Sequence, residues 1–192
     1  MLTARSSAEA HLYMDLHRCE CGSGDFDRQH RLELHGDDLV AVYEGACGQC
    51  GRMRRFTFRM AADAPPPAPA FGGSEPSQII DPGEFAEVAF RISESAGIQI
   101  LNTPKSEHHK MRGAVAYSVA AFEEIPKFIP PGGNAVPASA FVSEVGKARY
   151  RREPRDFERE ILEMNIANAR AVLANIDKHS TRPGGTGTGS GE

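Results

Sequence analysis

Long apolar runs are missing from this 192-residue chain. Nothing in it approaches the roughly 20 consecutive apolar residues that a bilayer-spanning helix needs, so no membrane partner is expected. The first ten residues have no apolar core of the kind a secretory signal carries, and a cytoplasmic location is expected. An excess of basic residues is also missing. Lys and Arg number 22 against 26 Asp and Glu, a net charge of −4 that argues against a general nucleic-acid binder. No His-Glu-x-x-His pair, nucleophile elbow or dinucleotide fingerprint occurs. The glycines after Ser180 lack the lysine and the strand–helix setting of a phosphate loop. No catalytic residue set is therefore expected.

Cysteine is scarce too, and its four copies are paired: Cys19-Glu20-Cys21 and Cys47-Gly48-Gln49-Cys50, the second followed by Gly51. With thiols kept reduced, such pairs point to metal before disulfides. Zinc takes four tetrahedral ligands, and a Cys-x2-Cys turn closed by glycine lets backbone amides reach the sulfurs. The expectation is one structural Zn2+ held by Cys19, Cys21, Cys47 and Cys50, with no position open for catalysis. The first pair is Cys-x-Cys, one residue tighter than the commoner spacing, which leaves His17 open as a substitute ligand. Unpaired thiols are one competing reading, and a redox Cys-x2-Cys site is the other. It wants a helix start, whereas Phe56-Thr57-Phe58 just downstream reads as strand.

Residues 27–34 alternate His30, Leu32 and Leu34 against Gln29, Arg31 and Glu33, as a half-buried strand does. Gly36 and Asp37 supply a turn. Residues 39–46 and 52–60 carry Val40, Val42, Tyr43, Phe56 and Phe58, which suit a pleated surface. The spacing thus predicts a three-stranded antiparallel zinc ribbon over 18–60, preceded by a helix or arm over 1–17. Arg52, Arg54, Arg55 and Arg59 stand beside Phe56 and Phe58, and such a strand can contact phosphates and stack on bases. The competing view is a solvated face paired with the acids of the neighbouring strands. Seven basic and seven acidic residues between Arg18 and Met60 favour it.

A composition break follows. Prolines 65, 66, 67 and 69 favour extended geometry and mark a linker over 61–78. Residues 79–179 read as four helices. Asp81-Pro82-Gly83-Glu84 is a capping-box start, with Gly97 expected as its helix's stop. Further starts lie at Thr103-Pro104, Pro137 and Pro154. His108 and His109 are adjacent, diverge by about 100° on a helix and read as a solvated turn, not a chelate. Residues 180–192 are expected to be a disordered tail.

The pattern Cys-Gly-Gln-Cys-Gly-Arg-x-Arg-x-Phe, the approach Pro76 to Phe85 and the exit Glu123 to Gly132 together resemble a family of bacterial zinc-ribbon proteins. Members of that family stand near polymorphic-toxin or secretion genes. The resemblance implies an immunity or adaptor role and no catalytic residues. The reading is an α+β chain, a ribbon followed by a four-helix cluster, acting as a non-catalytic zinc-binding interaction module. A protein partner is expected, a toxin that the chain occludes as an immunity protein or a partner that it bridges as an adaptor. The alternative is a nucleic-acid-binding regulator using Arg52, Arg54, Arg55 and Phe56.

Overall fold

The computed structural model describes residues 1–62 and 67–180, and shows a mixed α+β architecture. The expected tail after Ser180 and part of the proline-rich stretch, residues 63–66, lie outside the described residues.

The sheet grows from a hairpin. β1 (Leu2–Ala4) comes first in the chain, but the sheet's centre is β3 (Asp38–Ala46), joined to β2 (Gln29–His35) through Gly36 and Asp37. Gly36 adopts φ +66°, which a side chain would resist. β4 (Met53–Met60) pairs antiparallel with β3, and β1 lies parallel to β4, giving the order β1-β4-β3-β2. Three antiparallel strands were the sequence expectation. The sheet has four, and the additional one runs parallel. At three residues β1 is too short to show any alternation, so it has no periodic signature to read.

One face of the sheet is covered by α1 (Ser7–Leu16). Ser6 caps this helix, accepting from the Glu9 amide at 3.1 Å while its hydroxyl donates to the Phe71 carbonyl at 2.6 Å. Ala10 and Met14 pack with Ala4, Phe26, Ala41, Tyr43 and Phe58. No residue of β2 joins that cluster. Leu32 and Leu34, expected to be half-buried, are accordingly 56% and 76% exposed, because the covering helix stops short of the edge strand. On the opposite face Val40 and Val42 are fully buried. Arg31, Glu33, Glu44, Arg55 and Arg59 share that face by register and are joined in the pairs Arg31–Glu33, Arg31–Glu44 and Arg55–Glu44, with Arg59 bound to Asp38. Long charged side chains can cover apolar surface with their stems in this way.

The remaining helices are α2 (Pro82–Asn102), α3 (Arg112–Glu124), α4 (Glu144–Arg152) and α5 (Arg159–Ser180), with 3-10 turns between them. The expected capping box is present: Asp81 accepts from the Gly83 and Glu84 amides, and Glu84 accepts from the Asp81 amide. Gly97 does not end α2. The helix runs on to Asn102 and stops before Pro104, which forces Thr103 into extended geometry. The core between these helices contains Phe71, Phe85, Val119, Phe122, Ile125, Phe157 and Leu162. Each such side chain stabilises the fold by about 1.5–3 kcal/mol. Leu12 of α1 belongs to this second core, so α1 is a shared layer between the sheet and the helices. A buried ion cluster reinforces the joint. Arg5 binds Glu9 and Glu124, and Lys127 binds Glu124 and the Gly73 carbonyl.

No helix among the described residues is long and apolar enough to cross a membrane.

Burial beside Phe71 pushes the Tyr117 hydroxyl up to about 12, and burial raises Tyr13 and Tyr43 as well. A group whose pKa rises on folding contributes stability that is complete below its unfolded value, near 10, and is lost as pH climbs through the folded value. Chemical denaturation at stepped pH is therefore expected to show stability falling between about pH 10 and 12, with Tyr117→Phe flattening the slope. An unchanged slope in the variant would place the loss elsewhere.

Candidate metal centre

Two loops meet below the sheet. The first lies between α1 and β2, the second between β3 and β4, and each carries one cysteine pair. They close in the same way. In the first loop the Cys19 amide donates to the Ser23 carbonyl at 2.8 Å and the Gly22 amide to the Cys19 carbonyl at 2.7 Å. In the second the Cys47 amide donates to the Arg52 carbonyl at 2.8 Å and the Gly51 amide to the Cys47 carbonyl at 2.9 Å. Gly22 and Gly51 sit at φ +87° and +72°, the left-handed region that favours glycine. The shorter Cys-x-Cys pair thus forms the same knuckle with one residue fewer. Gly22 escaped the sequence reading, although a glycine directly after the second cysteine of both pairs was a visible signal.

The four sulfurs all lie within 4.8 Å of one another. Cys19 Sγ is 3.6 Å from Cys50 Sγ, and Cys21 Sγ is 3.6 Å from Cys47 Sγ, so the contacts run between the loops. A tetrahedron of thiolates around zinc, with bonds near 2.3 Å, has edges of about 3.7–3.8 Å. The donor set therefore fits a four-coordinate ion. A disulfide would need the sulfurs at about 2.05 Å, and all four cysteines are free. The ligand cluster does not include His17. Its ring stacks on Tyr13 at 3.8 Å, and its Nδ1 lies 2.9 Å from the Tyr13 carbonyl.

The sulfurs are electrostatically unequal. Amides of Cys50 and Gln49 hold the Cys47 thiol down at about 6. On Cys21 the Ser23 amide pulls the same way, but desolvation and the neighbouring sulfurs outweigh it and hold that thiol up at about 11. Four close sulfurs resist carrying charge together, and a cation at their centre removes that resistance.

Two further glycines let the loops approach. A Cβ on Gly45 would overlap the Asp27 carbonyl oxygen, and one on Gly48 would stand 2.7 Å from Asp25 Oδ2. The Asp27 amide donates to Ala46 and the Gly48 amide to Asp25, which laces the first loop across the end of β3. Neither glycine was singled out by sequence, because a close approach between distant segments leaves no local pattern.

Arg52, Arg54, Arg55 and Phe56 do come together, lining a depression of about 260 Å³ with His17, Cys19 and Glu20. Their surroundings differ. Arg54 is 8% exposed; it donates to the His17 and Gly24 carbonyls and lies over the rings of Phe26 at 4.6 Å and Phe56 at 5.0 Å. It bolts the first knuckle to β4. Arg52 pairs with Glu20, and Arg55 stands 3.7 Å from Glu44. Phe56 packs inward near Phe26 and Tyr13. Strand alternation puts Phe56 and Phe58 on the α1 side and Arg55 and Arg59 on the other. His108 and His109 address separate carbonyls, those of Thr103 and Ser106.

No protein-family model, curated protein or solved structure matches the chain.

Arg54→Lys keeps the charge but loses the planar fork that reaches two carbonyls between two rings. It is expected to destabilise the chain by about 1–2 kcal/mol, through two part-buried hydrogen bonds to the His17 and Gly24 carbonyls. Arg55→Lys, at an exposed position, should change stability by less than about 0.5 kcal/mol. Paired urea titrations of the two variants check this, and equal losses would remove the bolt reading.

Proposed function

We propose that this protein is a non-catalytic interaction module whose four cysteines hold one structural zinc ion. The observation that carries the reading is the closed four-sulfur cluster formed between two matching knuckles. Four protein donors leave a zinc ion no position for water or substrate, so the metal's work is to hold the loops together. Zinc is the ion proposed because four thiolates from two knuckles are the donor set of its closed structural sites. The surfaces held in place are the working part. The apolar side chains of Leu32, Leu34 and Leu39 stand exposed together at one edge of the sheet, as a protein-binding surface would.

The partner we propose is a protein, in the specific form of a toxin that the chain occludes. That form rests on the resemblance of its cysteine and proline motifs to zinc-ribbon proteins of toxin and secretion loci. A nucleic-acid partner is the weaker reading. Arg54 is committed to backbone carbonyls, Arg52 and Arg55 stand beside acids, and the aromatic rings face away from Arg55 and Arg59.

Native mass spectrometry of the purified chain tests the reading. One zinc per chain, retained with any co-purifying protein, is the expected result. Four thiols titrating freely in the folded chain, with no bound metal, would overturn the metal assignment. Salt-sensitive binding to single- or double-stranded probes would move the function to nucleic acid.

A further inference from the structure

We propose that β2 is a self-association edge, on which a second copy of this chain pairs its own β2 antiparallel with Leu32 facing Leu32 across a twofold axis. The proposal concerns the sheet's free edge and stands independently of the metal; it assigns to a second copy the edge that carries the exposed Leu32 and Leu34.

Among the described residues β2 ends the sheet, and one side of its backbone has no strand partner. Natural edges are usually protected by proline, a bulge, a lysine or a covering element. Among the described residues this edge has no proline, bulge, lysine or covering element: Gln29–His35 pairs with Asp38–Glu44 without a break in register, and its charged side chains Arg31 and Glu33 are of opposite sign. The groups that point outward can be assigned. The turn has two residues, so the closing pair His35–Asp38 exchanges both hydrogen bonds, and so do alternate pairs along the strand. His35, Glu33, Arg31 and Gln29 therefore bond to β3. Leu34, Leu32 and His30 present their amides and carbonyls to the free side.

Side chains then select the occupant. An antiparallel copy centred on Leu32 brings Leu32 against Leu32 and Leu34 against His30, each pair exchanging two backbone hydrogen bonds. In the same register Arg31 meets Glu33 of the partner copy and Glu33 meets its Arg31. Opposite charges directly across a strand pair stabilise it, and like charges destabilise it. A parallel copy in register would put Arg31 on Arg31 and Glu33 on Glu33. The edge is thus self-complementary in one orientation. It also continues the apolar side of the sheet, where Leu32, Leu34 and Leu39 are 56%, 76% and 41% exposed. Pairing across the twofold axis is isologous, so it closes after two copies and leaves no edge of β2 for a third.

Sedimentation velocity across a concentration series of the full chain tests the proposal, together with a charge-exchange experiment. The wild type is expected to reach a dimer. Arg31→Glu and Glu33→Arg should each weaken the dimer at least tenfold, because each sets like charges across the axis. Mixed in equal amounts, the two variants should recover a heterodimer near wild-type affinity, since each then supplies the charge the other lacks. Leu32→Lys, at a position already exposed, should dissociate the dimer by facing two ammonium groups on the axis. Circular dichroism and zinc content confirm that each variant is folded. A wild type that stays monomeric at several hundred micromolar, a dimer indifferent to all three variants, or a mixture that fails to pair would overturn the proposal. An unrelated extended peptide protecting the β2 amides from exchange while the chain stays monomeric would give the edge to a foreign strand instead.

Discussion

Cys47→Ser is expected to abolish stoichiometric zinc binding and to unfold the lower end of the sheet while the helical core stays in place. Cys47 is buried, and its sulfur is the one that backbone amides hold as a thiolate near neutral pH. Serine matches its size but is a hard, weakly acidic ligand, and three thiolates left around an ion leave one corner to water. Binding energies of structural zinc in small modules are on the order of 10 kcal/mol and act as folding energy. Part of the sheet is held independently by α1 through Met14, Tyr43 and Phe58, so the loss should be local. Amide exchange read by mass spectrometry checks this: residues 19–28 and 46–53 should lose protection, and residues 112–124 should keep it. Chelation of the wild type should give the same map. Metal affinity should rise with pH, because protons compete for the sulfurs, most persistently at Cys21 with its thiol near 11. A Cys47→Ser chain that retains one zinc with full protection would show that the cluster is not the metal's site.

Asp81→Ala is expected to be the most damaging single change in the helical part. The sequence shows Asp81 as the cap of α2, and it is that. Its second oxygen also accepts from the amides of Val142 and Ser143, at 3.0 and 2.7 Å, so one buried carboxylate serves the entry to α4 as well. Four amides lose their acceptor at once. At about 1 kcal/mol for the cap and about 1–2 kcal/mol for each of the two part-buried amides at the entry to α4, the cost comes to about 3–5 kcal/mol. A domain of this size has about 5–15 kcal/mol in total. Gly146→Ala should cost a comparable amount by another route, since a Cβ there would overlap the Asp81 carboxylate, and Gly83 is equally tight against Gly146. In urea both variants should lower the midpoint with the slope unchanged. A surface control such as Lys147→Ala should not. If Asp81→Ala unfolded within about 1 kcal/mol of the wild type, the shared-cap account would fail.

These two cases show what could be read in advance. The cysteine pairs and the Asp81 box are local: spacing of a few residues sets their chemistry, and the structure assembles them as the spacing implies. The mixed class of the fold was legible from the change between period-two and helical patterns. What escaped depends on segments far apart in the chain. Leu32 and Leu34 alternate like a covered strand, yet whether a strand is covered depends on where α1 ends. Ser6 or Ser7 reads as the cap of an N-terminal helix in the sequence, and α1 starts behind Ser6, which accepts from the Glu9 amide. Arg54 reads like its neighbours Arg52 and Arg55. Only the fold shows that it is spent between two carbonyls and two rings, while theirs are surface ion pairs. Gly45, Gly48, Gly83 and Gly146 matter for the side chain they lack, and an absent side chain has no periodicity.

The position of α1 sets an order of events during synthesis. Residues 1–16 leave the ribosome before the elements they pack against, and the faces they fill are completed much later, by Phe58 on one side and by Phe71, Phe122 and Leu162 on the other. Arg5 and Glu9 wait for Glu124. A segment made before its partners is therefore the last to settle, and until then its apolar residues have only solvent or a chaperone to meet.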